Sequence, residues 1–188
     1  MICTAAPVRQ KGLMSDSLDP TLMNPQSPEN VRAFRDALGC FATGVTVVTV
    51  PPDRDGALPI GVTVNSFNSV SLDPPLVLFS IDKASYSLPF FQKASHYVIN
   101  VLADDQQALS GHFAAHGPER WSGIDVDVWD SGAPVLSGTV ATFECEAGQQ
   151  MDGGDHVIFI GRVSKMACHP AKSPLLYVRG HYARLAPE

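Results

Sequence analysis

Gly61-Val62-Thr63-Val64-Asn65-Ser66-Phe67-Asn68-Ser69-Val70-Ser71-Leu72-Asp73-Pro74-Pro75 is the stretch on which the reading of this chain turns. Its β-branched start and its closing proline pair predict a strand and a stop. Strand alternation puts Thr63, Asn65, Phe67, Ser69 and Ser71 on one face, and Val62, Val64, Ser66, Asn68, Val70 and Leu72 on the other. Both faces therefore carry small amides or hydroxyls. If buried, these groups need hydrogen-bond partners. No residue from Gly61 to Leu72 is charged, so such a partner would be polar and flat, or phosphorylated. An exposed edge strand is the alternative, with water as the partner. The pattern alone leaves both open.

Upstream, residues 45–50 are β-branched throughout and predict another strand. Residues 51–59 predict a turn around Asp55-Gly56. Before them, Ser27 suits an N-cap, Pro28 the first helical position and Glu29 the positive end of the helix dipole. Val31, Phe34, Leu38 and Phe41 then make one apolar stripe, and Gly44 ends the helix. Downstream, strands are expected at 60–70, 76–81 and 96–102, with a short helix at 88–93. Asp104, with Gln107 three residues on, has capping-box spacing for another helix. Residues 116–134 show no clear period and predict an ordered loop with a short helical turn. Residues 140–147 and 156–166 predict a hairpin around Met151-Asp152-Gly153-Gly154, and strands at 175–178 and 181–185 close the chain. Most strands lack alternation toward solvent. They are expected to be covered on both faces, as in a barrel with helical plugs or a subunit contact. No repeat or second core is visible. The expectation is a flexible arm over 1–26 and one domain over 27–188.

Bulk properties exclude several classes. The net charge is −6 and no run of Lys and Arg occurs, which argues against a nucleic-acid binder. No apolar stretch approaches the ~18 residues of a membrane span. Arg9 and Lys11 are not followed by the apolar core of a signal peptide. Cys3, Cys40, Cys145 and Cys168 form no CxxC pair, as expected of reduced thiols in a cytoplasmic protein. Cys145, His156, Cys168 and His169 lack the close ligand pairs of structural zinc sites, so no metal is expected.

Several segments together resemble the short-chain flavin reductases. These are Phe41-Ala42-Thr43-Gly44-Val45-Thr46-Val47-Val48-Thr49, the stretch from Gly61 to Phe67, Val70-Ser71-Leu72-Asp73-Pro74-Pro75-Leu76-Val77, Val98-Ile99-Asn100-Val101-Leu102, and Gly153-Gly154-Asp155-His156-Val157-Ile158-Phe159-Ile160-Gly161-Arg162-Val163. Pro174-Leu175-Leu176-Tyr177 and Gly180-His181-Tyr182 add to them, in family order from Val31 to Leu185. The resemblance implies a mainly β fold, a six-stranded antiparallel Greek-key split barrel with two or three flanking helices. It also implies a homodimer with flavin near the subunit interface. The implied activity is NAD(P)H:flavin oxidoreduction, with reduced flavin passed to a partner monooxygenase. FMN is the expected flavin and FAD the alternative, with NADH or NADPH as hydride donor. A flavin carrier, or an oxidase like the pyridoxamine-phosphate oxidases, is the competing function.

The resemblance also implies residue roles. Thr63, Val64, Asn65 and Ser66 would line the flavin ring, with Gly44, Val45 and Thr46 close by. Asp82-Lys83-Ala84-Ser85-Tyr86-Ser87 would approach the phosphate. Ser85 and Ser87 have a physical reason as well, since they precede a helix and helix N-termini favour anions, while Lys83 adds charge. Asp155 and His156 are the expected catalytic pair, with His156 contacting the nicotinamide. No GxGxxG follows a strand, so no Rossmann site is expected. Hydride transfer needs stacked, positioned rings rather than an obligatory general acid.

Overall fold

A computed structural model describes residues 22–54, 57–115 and 121–186. Most of the expected arm, Cys3, the expected Asp55-Gly56 turn and residues 116–120 of the expected loop lie outside the described residues. Contacts divide the chain into two units, up to Arg35 and from Asp36 on. In the first, Pro28–Asn30 makes a 3-10 turn. Ser27 precedes it without a side-chain capping bond. Helix α1, Val31–Leu38, buries no residue. Its apolar stripe, expected to face a core, is exposed: Phe34 is 49% and Leu38 60% accessible.

The larger unit is built on strands: β1 (Thr43–Gly44), β2 (Thr46–Val50), β3 (Ile60–Val64), β4 (Asn68–Leu72), β5 (Pro75–Asp82), β6 (His96–Val101), β7 (Val126–Val128), β8 (Pro134–Leu136), β9 (Ala141–Gly153), β10 (His156–Cys168), β11 (Leu176–Val178) and β12 (His181–Ala183). Helices α2 (Leu88–Lys93) and α3 (Gln107–Ala114) lie between them. The fold is mainly β and antiparallel. Seven strands form one sheet in the order β3-β2-β6-β9-β10-β5-β4, and β1-β11-β12 and β7-β8 form smaller ones. The expected count was six, in a barrel. The expected strand at 60–70 is two strands, β3 and β4, which lie at opposite edges of the main sheet. Backbone pairing does not close that sheet, since β3 and β4 are not paired with each other, and Asn65-Ser66-Phe67 cross from one edge to the other.

Strand β2 is covered on both faces, as its unbroken β-branched run predicts. Val48 and Val50 join Phe79, Phe91, Tyr97, Ile99 and Phe159 in the main core. Val47 packs the other way, with Leu102, Phe113, Leu136 and Leu175. Each such buried side chain contributes roughly 1.5–3 kcal/mol. Helix α2 closes the main core with Leu88 and Phe91 because its apolar residues fall one turn apart. Phe79 is the hub, with ring centroids 5.0 Å from Tyr97 and 5.1 Å from Phe159. The Tyr97 hydroxyl donates to the Ile160 carbonyl at 2.6 Å. That carbonyl lies where the β9–β10 register slips, between Phe159 and Gly161. A Cβ on Gly161 would come within 2.7 Å of the Tyr97 ring, so this close approach requires glycine.

Two local expectations are corrected. The capping box at Asp104 does not form. Helix α3 starts at Gln107 after the N-cap Gln106, whose side-chain oxygen accepts from the Ala103 N–H at 2.9 Å. The long hairpin turns at Gly154-Asp155, further along than 151–154, with Gly153 paired to His156. Gly154 has φ +82°, the left-handed conformation that a two-residue hairpin loop needs at its first position.

Candidate active site

Edge strand β4 pairs only with residues 75–78 of β5, so residues 79–82 of β5 face edge strand β3 across a seam, and a groove of about 200 Å³ runs along it. Val62, Thr63, Val64, Asn65 and Ser66 form one wall, Ser80, Ile81 and Asp82 the other, and Ser85 and His156 complete the lining. The second wall was missed from the sequence. Residues 76–81 read as an ordinary strand, and only pairing with β10 turns Ser80 and Ile81 toward β3.

Most hydroxyls of the polar stretch have partners inside the protein. Thr63 Oγ1 donates to the Ser110 carbonyl at 2.8 Å, and Thr46 Oγ1 to the Val64 carbonyl at 3.1 Å. Ser66 Oγ donates to the Ser80 carbonyl at 3.1 Å and accepts from the Ser80 N–H at 2.9 Å. The β4–β5 ladder ends with Asn68 paired to Leu78, so the Ser66 side chain extends it by one step and stitches the seam. Asn65 differs: its exposed amide bonds to no described residue. The Asp82 carboxylate is turned onto the Ala84 N–H at 2.7 Å. The groove lining thus combines apolar Val62, Val64 and Ile81 with serine and threonine residues and the Asn65 amide, which has no partner among the described residues. That chemistry fits a flat ring with a polar edge.

At the hairpin turn, His156 Nδ1 lies 2.7 Å from Asp155 Oδ1, with the two side chains 41% and 88% accessible. Hydrogen bonding to His156 holds the Asp155 carboxyl below its ordinary range. Register pairs His156 with Asp82, and the Lys83 N–H donates to the Asp155 carbonyl at 2.9 Å. Strand pairing therefore carries the Asp155–His156 pair to the rim of the groove. Lys83 Nζ bonds Asp152 Oδ2 at 2.6 Å. With that hydrogen bond first and the Gly154 N–H second, the Asp152 carboxyl is also lowered.

Of the residues expected at a site, the structure gathers Thr63, Val64, Asn65, Ser66, Ser85 and His156 on one groove, with Asp155 and Lys83 beside it. Gly44, Val45 and Thr46 do not line it. Val45 belongs to the core on the far face of β2, and Thr46 is buried in β2, paired with Val64 of β3. Ser87 is buried and faces a neighbouring cavity. It makes no capping bond on α2, a helix of six residues. Among the described residues no group of His, Cys, Asp and Glu is placed to hold a metal ion. Cys145 is fully buried, and desolvation pushes its thiol up to about 12.

Residues 38–186 match the model of the flavin reductase like domain. A protein of Agrobacterium fabrum named FMN reductase (NADH) SmoA is 47% identical over 158 residues, covering 84% of this chain and 88% of that protein. A Rhodococcus jostii protein named reductase subunit HsaB of a flavin-dependent monooxygenase is 38% identical over 157 residues, covering 84% and 79%. Among solved structures, the Streptomyces globisporus NADH:FAD oxidoreductase SgcE6, in complex with NAD and FAD fragments, superposes with a TM-score of 0.82 at 36% identity, over 90% of this chain and 99% of that one. With a seam groove built from the motif residues and a match over most of its length, the chain belongs to the flavin reductase like family.

Proposed function

We propose that this chain transfers hydride from NADH to a flavin held in the β3–β5 groove, and that the reduced flavin serves a partner monooxygenase. The observation that carries this reading is the Asp155–His156 pair at the rim of a groove lined by Val62 to Ser66. The relatives named as NADH-dependent flavin reductases and as a monooxygenase subunit support it.

A bound flavin would supply the hydride-accepting ring, and the chain would supply binding and orientation. Asn65 offers its amide to the polar edge of that ring, and the backbone of Thr63 to Ser66 fixes its plane. Val62, Val64 and Ile81 exclude water from its apolar face. Asp155 engages His156 Nδ1, which leaves Nε2 to meet the nicotinamide. Ser85 and Lys83 serve the phosphate, Lys83 after leaving Asp152. The groove is shallower than the 300–1,000 Å³ usual for small-molecule sites. A second copy of the chain completes it. Phe41 and Leu72, 74% and 94% accessible, are apolar surfaces such a homodimer would cover.

The test mixes purified protein, NADH and either FMN or FAD in air and follows the nicotinamide absorbance. Flavin-dependent loss of NADH is expected. Flavin binding without that loss would favour a carrier or an oxidase, and absence of binding would remove flavin from the groove altogether.

A further inference from the structure

The main sheet has a second face, turned away from the aromatic core. Cys145 of β9 points into that core, so alternation turns its neighbours Glu144 and Glu146 the other way. On this face Val98 of β6, paired with Glu144, is covered by Trp129, Ala133 and Val135 from the β7–β8 hairpin. Beside this cover lies a cavity of about 300 Å³, bordered by Asp130, Ser131, Glu144, Glu146 and Lys165. It shares no lining residue with the flavin groove.

Glu144 is the unusual member. Its residue is 3% accessible. Oε1 accepts from the Ser131 N–H at 2.8 Å, in a turn that the Gly132 N–H closes onto the Trp129 carbonyl at 3.0 Å. That leaves Oε2 for the cavity, with no hydrogen-bond partner among the described residues. A buried carboxylate is costly unless a cation or further donors meet it. Lys165 is the candidate by register. The β9–β10 pairing slips between Val163 and Lys165, and this bulge sets Lys165 opposite Glu144. Its ammonium nevertheless goes elsewhere, 3.3 Å from Asp130 Oδ2 and 5.1 Å from the centre of the Trp129 ring. No ion pair joins Glu144 to a described Lys, Arg or His.

The carboxylates of Asp130, Glu144 and Glu146 thus border the cavity with one ammonium that is already engaged. They are not grouped as metal ligands. The cavity lacks a cation that donates N–H bonds in more than one direction. A guanidinium does so with a planar fork, and it is more weakly hydrated than an ammonium, which suits a partly closed site. We propose that this cavity binds a guanidinium group, with Glu144 as the buried anchor and Glu146 at the rim. The site stands independently of the flavin reading of the groove. A free guanidino compound and an arginine side chain of a partner protein present the same group, and the test separates the two sources.

Full-length ¹⁵N-labelled protein is titrated with methylguanidinium chloride, and the Ser131 amide, which donates to Glu144, is followed by NMR. Tetramethylammonium chloride at equal concentration supplies charge without N–H donors. Saturable movement of Ser131 with methylguanidinium alone is expected. Glu144→Gln keeps an acceptor for the Ser131 N–H and should weaken binding about tenfold, as for loss of a hydrogen bond to a charged group. Glu146 and Lys165 are exposed, so their variants should keep the fold. Glu146→Gln should weaken binding about threefold, and Lys165→Met should tighten it about twofold. Agmatine and an acetylated, amidated Gly-Arg-Gly peptide separate the sources. Binding of agmatine tighter than that of methylguanidinium assigns the site to a small guanidino compound, and tighter binding of the peptide assigns it to a protein partner; either supports the proposal. Equal movement with tetramethylammonium would reduce the effect to ionic strength and overturn it. An unmoved Ser131 amide in the wild type would also overturn it. So would unchanged affinity in Glu146→Gln together with Glu144→Gln, or in Glu146→Gln by itself where Glu144→Gln does not fold.

Discussion

Ser66→Ala removes the side chain that stitches the open seam of the sheet. Two hydrogen bonds are lost, the hydroxyl to the Ser80 carbonyl at 3.1 Å and the Ser80 N–H to the hydroxyl at 2.9 Å. An intramolecular hydrogen bond contributes about 1 kcal/mol net, so the upper figure is about 2 kcal/mol. Ser80 is only half-buried, and water can replace part of the loss, which sets the expected range at about 1–2 kcal/mol. For a domain of this size that is a fall in Tm of about 2–8 °C. Flavin affinity should fall too, because the two walls of the groove are no longer tied. Asn65→Ala is the control. Its amide has no partner among the described residues, so flavin affinity should drop while Tm stays put. Thermal unfolding of the apo-proteins and fluorescence titration with flavin measure the two effects. An apo Ser66→Ala protein with wild-type Tm would refute the stitching argument and return Ser66 to the role of a simple flavin contact.

Other outcomes follow from the same geometry. His156→Ala should raise the KM for NADH far more than it alters flavin affinity; unchanged NADH dependence in steady-state kinetics would sink that role. Gly161→Ala places a methyl 2.7 Å from the Tyr97 ring and 3.0 Å from Cys145 Cβ, and should cost about 1–3 kcal/mol in urea unfolding. Cys40 and Cys168 are exposed and should react with a thiol reagent at mild alkaline pH, whereas Cys145 should react only after denaturation; mass spectrometry of the labelled peptides decides. The depressed Asp152 carboxyl makes its contribution to the hairpin turn present above the ordinary carboxylate range and lost as pH falls through the lowered folded-state value. In Lys83→Met that titration, followed by NMR at Asp152, should move back up; an unmoved curve would show that Lys83 is not the cause.

Much of the fold is visible in local pattern. The unbroken β-branched run of β2 predicts a strand buried on both faces, and α2 appears with the expected bounds because its apolar residues and Pro89 leave few alternatives. The expected helix from Ser27 is only partly right, since an apolar stripe states that a face wants cover and not what covers it. The single expected strand at 60–70 is the larger miss. Period-2 alternation runs through Asn65-Ser66-Phe67 without interruption, so nothing local marks the crossing between sheet edges. The polar character of that stretch leaves open a ligand or water as its partner. Internal partners serve Thr63 and Ser66 instead, and Asn65 has none among the described residues.

By itself the sequence marked most of the strands and a hairpin just before Asp155 and His156, because these rest on residue types at short spacing, and its segments from Val31 to Leu185, taken together and in order, resemble the family. Only the tertiary structure decided that Ser66 closes a seam onto Ser80, 14 residues away, and that Lys83 is held by Asp152, 69 residues away. It also set the stretch from Val62 to Ser66 against β5 as one wall of a groove. The physical reason is that alternation fixes which face a side chain occupies, while its partner depends on strand order and register, which are settled by packing between distant segments.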